Sequence, residues 1–419
     1  MCATGHRISI NHSANLDNTI ETMKTTTPRI VWWILCVTVA YSSLEQLLTK
    51  HLSFSYPIWN FLTSPVGRFD DFYNNLPNPG LWFPSRAGFV LFPGSVILYK
   101  ALSTAGFSDL QAFVVFNALT YLLLFLSTYL TFRTLGVRLL ILTSYPIFFS
   151  FWRANNETLL LSLYLFALWQ IEKRHRYSAI TSGTFAGFHA MTEPNPFLLL
   201  SLCPLRFNRL RGFVFSLLVT SILITLIFFS LVGESPTNYA ESLRNFIQLD
   251  NDLDFIHMHN HSLVAGVSGW IRLFSGEFPD LYNSTIAKFL VFLLPIISIA
   301  ILLFLTKRQA TFHDRIICAT TLLLIVPTHS FTYRQVWLLV PLGLMLDRRD
   351  NSILTFAERF QLGLMTVIII PKTFIWIKSP LNGLGHYEST LIDPVLCLAL
   401  LVVTVKKSIS DTHRRHAVH

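Results

Sequence analysis

Apolar stretches follow one another through most of this chain, many near the ~20 residues that a helix needs to cross a hydrocarbon core. They fall at 30–48, 110–132, 137–152, 158–171, 178–191, 194–205, 213–233, 286–306, 316–328, 335–347, 361–378 and 389–405. Only 13% of the residues are charged and 52% are hydrophobic, against about a quarter charged in a soluble domain. The expected fold is therefore all-α, a polytopic membrane protein of about 12 transmembrane helices. The expected organisation is a polar cytoplasmic tail (1–29), a single transmembrane domain (30–405) and a basic cytoplasmic tail (406–419).

The net charge of +9 does not point to nucleic acid, because Lys and Arg cluster in short turns between the apolar runs. With the N-terminus in the cytoplasm, Arg133/Arg138, Lys173/Arg174/Arg176, Arg206/Arg209/Arg211, Lys307/Arg308/Arg315, Arg348/Arg349 and Lys406/Lys407 all fall on one side. The other side then holds roughly half as many basic residues, which is positive-inside topology. This count requires that residues 87–103, which include Pro93, Gly94 and Lys100, form an interfacial or re-entrant segment rather than a crossing. The five cysteines form no CxxC or Cys/His metal pattern, so neither a disulfide framework nor a metal site is implied. The first apolar span has no small-residue cleavage site after it and reads as an uncleaved helix.

Polar residues collect on the less basic face. Residues 178–205 read as a helical hairpin broken at Met191-Thr-Glu-Pro-Asn-Pro196, since two prolines so close stop a helix. In the first outer loop, Asp70 and Asp71 sit among Trp59, Phe69, Phe72, Tyr73 and Trp82. Exposed loops carry acids for solubility too, but aromatic, partly dry surroundings raise a carboxylate's basicity toward that of a useful base. The long loop 234–285 contains His257-Met-His-Asn-His261; alternating histidines in an extended segment point one way, yet no carboxylate or cysteine completes a metal spacing. A later polar turn runs from Pro327 through His329 to Arg334, and a guanidinium on that face suits a lipid phosphate. Arg153, with Asn155, Asn156 and Glu157, is placed to line the same region.

The order of these features resembles the polyprenyl-phosphate-sugar-dependent mannosyltransferases of glycosyltransferase family 87, in the GT-C superfamily. Asp71-Phe72-Tyr73 is similar to the family's Asp-Phe motif, and Asn260-His-Ser-Leu263 to its Asn-Gln-Ser-Leu element, with His261 in place of Gln. Arg153-Ala-Asn-Asn156 keeps only the final Asn of a Gly-Gln-x-Asn turn. Glu193-Pro-Asn-Pro196 resembles the Lys-Pro-x-Pro tip but reverses its charge. The likeness covers about 30–347.

The resemblance implies a GT-C-like hexosyltransferase acting on the non-cytoplasmic face of a cell's inner or plasma membrane. Its donor would be polyprenyl-phosphate-mannose or a similar lipid-linked sugar, and its acceptor a glycolipid or glycan. Asp71 or Asp70 would be the general base of an inverting transfer. Substrate contacts would come from Arg334, His329, Asn260, His261, Ser262, Arg153, Asn156, Glu193 and Tyr73. No cofactor and no metal are expected, and no nucleotide-binding glycine loop is evident. The rival expectations are a transporter or flippase of lipid-linked saccharides, which would place charges along a pathway through the membrane, and a polysaccharide polymerase or ligase.

Overall fold

In a computed structural model the protein is described at residues 92–144, 146–147, 150, 155–173, 177–193, 195–203, 207–232, 235–250, 262–275, 285–307, 310–327, 332–347, 354–370, 376–378 and 385–418. Helices dominate these residues. The first, α1 (Pro93–Thr104), begins on a proline and has 12 residues. At about 18 Å it is too short to cross a ~30 Å hydrocarbon core upright. Next, α2 (Asp109–Thr131) opens with a capping box in which Ser108 and Gln111 satisfy each other's backbone N–H groups. It is followed by α3 (Leu135–Leu142), α4 (Glu157–Lys173), α5 (Ser178–Thr192), α6 (Pro196–Leu202) and α7 (Phe207–Val232).

Among the described residues, two helices are long and apolar enough to cross a bilayer alone, Asp109–Thr131 and Arg209–Leu231. Both carry continuous exposed apolar faces, including Leu119, Leu122 and Phe125 on α2 and Phe215, Ile222 and Leu226 on α7. Contiguous apolar surface of that extent faces lipid rather than water. Some expected crossings, such as 286–306 and 389–405, fall within single helices, while others are more broken than the hydropathy predicts. The stretches expected at 137–152 and 194–205 contain α3, of 8 residues, and α6, of 7. The expected hairpin break is present: α5 stops at Thr192, and Asn195 caps α6 through Leu198 N (3.3 Å) with Pro196 in the first turn.

The expected long loop 234–285 is largely helical. It holds α8 (Pro236–Asp250) and α9 (Leu263–Ser275), because its polar residues fall on one side of amphipathic turns and its polarity hid the period. Three more helices follow: α10 (Thr285–Lys307), α11 (Phe312–Ile325) and, after a 3-10 helix at Thr332–Leu338, α12 (Leu339–Leu346). Pro341 explains that 3-10 turn. It has no N–H to give Trp337 O, so regular α-helical bonding starts only at Leu339, where proline fits the first turn.

The expected span 361–378 also ends early. Helix α13 (Phe356–Ile369) stops before Pro371, which disfavours a helical residue ahead of it. Trp376–Lys378 (β1) then pairs antiparallel with Gly385–Tyr387 (β2), with Ile377 opposite His386, so the fold is helical with one small ribbon rather than purely all-α. The last helix, α14 (Glu388–Val418), continues past residue 405 into the basic tail without a break.

Packing is closest between α5 and α7. A Cβ on Gly183 would lie 2.3 Å from Phe213 O, and one on Gly187 would lie 2.7 Å from Thr220 Cβ. The Gly-x-x-x-Gly spacing lets the two backbones touch, as small-residue stripes do in membrane helix pairs. The centre of the core is α11, buried on all sides from Asp314 to Ile325.

The charged side chains form two layers. At one end Asp347 accepts from Arg133 N (2.8 Å) and Thr134 N (2.7 Å), holding the turn between α2 and α3. At the same end of the helices Lys407 meets Asp314 (3.2 Å), Asp411 (3.1 Å) and Glu358 (3.9 Å). Burial opposes the Lys407 charge, but Asp314 and Asp411 more than offset it and hold its pKa above the usual lysine value. The other layer lies about 20 Å away along α14, at Asp393, and forms the candidate site.

Candidate functional site

The second layer is built where helices end. The start of α4, the end of α5, the start of α1, the 3-10 helix and the first turns of α14 all meet there. Broken helices bring backbone ends and polar side chains to membrane depth only where protein or water satisfies them. Arg334 is at the centre. Its Nε lies 3.3 Å from Glu157 Oε1, and its Nη2 donates to Glu193 Oε1 at 3.1 Å.

The two carboxylates differ in setting. The Glu157 side chain is 3% exposed and that of Glu193 is 32% exposed. Glu157 stands in the first turn of α4, where the exposed N–H groups favour an anion. Its other oxygen accepts from Trp337 Nε1 at 2.5 Å. A 3-10 helix places residues i and i+3 on one edge, so Arg334 and Trp337 both reach Glu157. The Trp337 ring is held edge-on by Tyr164 and by His189, each with its centroid 5.6 Å away. Tyr164 is anchored in turn by Ser201 Oγ at 2.7 Å. His189 is buried, and among the described residues neither of its ring nitrogens has a hydrogen-bond partner.

Two further polar links complete the layer. Gln335 Nε2 donates to Asp393 Oδ2 at 3.1 Å, with both residues 1% exposed. On α1, Ser95 Oγ donates to Thr192 O (2.8 Å) and accepts from Asn156 Nδ2 (3.2 Å), while Tyr99 Oη donates to Asn156 Oδ1 (2.9 Å). Gly94 permits this approach, since a Cβ there would sit 2.9 Å from Met191 O.

Of the residues singled out from sequence, Arg334, Glu193 and Asn156 belong to this layer. Asn156 is buried and bonded to α1, which makes it a tie between helices. Ser262 is fully buried, and its hydroxyl accepts from Ala265 N at 3.1 Å, capping α9. Asp70, Asp71, Tyr73, Arg153, Asn260, His261 and His329 lie outside the described residues.

Sequence reasoning noted Glu157 only in passing and missed Trp337, His189, Gln335, Asp393, Ser95 and Tyr99. Asp393 carried a usable signal, an acid inside the apolar run 389–405. Trp337 carried one in its i+3 spacing from Arg334.

Helix ends enclosing a half-buried guanidinium between two carboxylates, on a body with exposed apolar helix faces, define this candidate site. The glycosyltransferase family 87 model matches residues 93–327, more than half of the chain. The protein belongs to glycosyltransferase family 87 and is a membrane glycosyltransferase. The match runs from α1 through α11 and takes in Asn156, Glu157 and Glu193, while Arg334 and the acidic pair lie beyond its ends. Compared with the curated proteins and with the solved structures, the chain matches none.

Proposed function

We propose that the protein is a multi-pass hexosyltransferase that moves mannose, or a similar hexose, from a polyprenyl-phosphate carrier to a glycolipid or glycan acceptor. The observation that carries this reading is Arg334, a guanidinium 17% exposed and held between Glu157 and Glu193 where the helices end. Arginine binds phosphate oxygens through a planar fork, which suits the phosphate of a lipid-linked donor. The less basic layer faces the non-cytoplasmic side, because Arg133, Arg138, Lys173 and Lys407 gather at the other end.

In this mechanism Asp71, or Asp70, takes the proton of the acceptor hydroxyl. The oxygen attacks the anomeric carbon and forms the new glycosidic bond with inversion. The bond from that carbon to the phosphate oxygen breaks, and polyprenyl phosphate leaves with the electron pair while Arg334 balances its charge. One positioned base contributes typically ~10²–10⁴-fold, and electrostatic stabilisation of the leaving phosphate supplies a comparable or larger share. Asn260 and His261, directly ahead in sequence of the α9 cap at Ser262, are assigned to sugar hydroxyls, His329 and Arg153 to the donor phosphate, and Tyr73 to the support of the base.

The test uses purified full-length protein in lipid nanodiscs with labelled polyprenyl-phosphate-mannose and a glycolipid acceptor. Mannosyl transfer is expected, with loss in Asp71→Asn or Asp70→Asn and in Arg334→Gln. Transfer from a sugar nucleotide but not from the lipid donor, or full activity in the double Asp variant, would overturn the reading.

A further inference from the structure

The two carboxylates on Arg334 have different holding, and the difference assigns them different jobs. Glu157 is buried, stands at a helix N-terminus, and is fixed by both Trp337 and Arg334. Glu193 stands at the C-cap of α5 in extended conformation, where the carbonyl end of the helix disfavours an anion. Its side chain is about one-third exposed and, among the described residues, is tied to the site by one contact, Arg334 Nη2 at 3.1 Å. Its backbone N–H stays on His189 O, so the side chain can rotate away without moving the chain.

We propose that Glu193 is an exchangeable counter-ion: the substrate phosphate takes its place on Arg334 Nη2, and its return helps expel the phosphate product. Glu157 stays in place throughout and orients the guanidinium. This makes Glu193 a positioning and affinity-setting residue, and it rests on the assignment of Arg334 to the donor phosphate. Empty, the site keeps its arginine paired and gives a stray anion no bare guanidinium. Occupied, the phosphate gains Arg334 while Glu193 turns to water, a loss that is small because a solvent-exposed pair contributes little. The charge of Glu193 is therefore a tax on phosphate binding of about threefold to fivefold, the weight of one partly exposed ion pair.

The experiment titrates farnesyl phosphate into full-length protein in phosphatidylcholine nanodiscs by calorimetry. Glu193→Gln is expected to bind about threefold to fivefold more tightly than the natural protein. Glu193→Ala is expected to move in the same direction, Glu193→Asp to stay near the natural value, and Arg334→Gln to bind more than about tenfold more weakly. In donor kinetics the neutral variants lower KM without raising kcat. Unchanged or weaker binding in both neutral variants overturns the exchange.

Inorganic phosphate separates the sources of the ligand chemistry. A gain confined to farnesyl phosphate supports a lipid-borne phosphate; an equal gain with inorganic phosphate overturns that part of the assignment. Phosphatidylglycerol in excess that removes the gain overturns it in favour of bulk lipid headgroups. Transfer that persists without any Glu193 dependence of binding sinks the exchange alone. Binding that depends on Arg334 and Glu193, with no glycosidic bond formed from the lipid donor, sinks the donor assignment alone.

Discussion

Replacing Glu157 by Gln tests whether the Glu157–Arg334–Trp337 network holds this end of the molecule together. The carboxylate is 3% exposed and Arg334 17% exposed, so the pair counts as mostly buried. Removing one partner of a buried pair costs about 3–5 kcal/mol. Arg334 keeps Glu193 in the variant, which brings the expectation to the lower end, about 2–3 kcal/mol. Within that, the Trp337 N–H loses a charged acceptor but keeps a neutral carbonyl, a change of about 1 kcal/mol. For a chain of this size each kcal/mol moves the unfolding midpoint by roughly 1 °C, so Glu157→Gln should lower it by roughly 2–3 °C in detergent.

Glu157→Ala should fall further, because the indole N–H is then left without its acceptor. The assay is thermal unfolding in one detergent for the natural protein, Glu157→Gln, Trp337→Phe and the double variant. The two single changes share one bond and should be non-additive by about 1 kcal/mol. A midpoint within ~1 °C of the natural protein, or strict additivity within ~0.3 kcal/mol, would refute the network as a stabilising unit.

Other outcomes follow from individual contacts. Gly183→Val should separate α5 from α7, since the added Cβ meets Phe213 O; a loss of about 1–3 kcal/mol or more, read as a lower unfolding midpoint and poorer recovery of monodisperse protein, checks it. Asp347→Ala leaves two N–H groups of the turn between α2 and α3 without this acceptor and should cost about 1 kcal/mol, while Asp347→Asn should keep part of that; the midpoints of the two variants give the comparison. His189→Phe retains the ring against Trp337 and removes two buried nitrogens that lack partners among the described residues. The variant should be as stable as the natural protein or more so, and a large loss of stability would show that the imidazole is satisfied by a group the packing conceals.

Much of the layout was legible because it follows from local chemistry. The break between α5 and α6 could be read from two prolines two residues apart. The shared side of the basic turns could be read from counting, and Arg133, Asp347, Lys407 and Asp314 do gather at one end. The lengths of the crossings were less legible. Hydropathy averages over a window, so it joins α3 to the residues after it and carries α13 on toward residue 378, where the chain instead forms β1. A polar run such as 234–285 looks like a loop when its apolar side is narrow, yet α9 docks there through Trp270 Nε1 on Leu391 O at 3.1 Å.

What the sequence alone determined was that this chain lives against lipid and folds as helices. Those properties depend on composition and on periods of a few residues, which are local. The partner of Arg334 was decided only in three dimensions. From sequence, Glu193 looked like a reversed charge at a phosphate site, and Glu157 an acid beside a helix. The fold brings residues 141 positions apart into one ion pair and sets Trp337 behind it, because packing α4, α5 and the 3-10 helix leaves one polar place where they end. A half-buried arginine finds its countercharges there, and no window of sequence spans the distance between them.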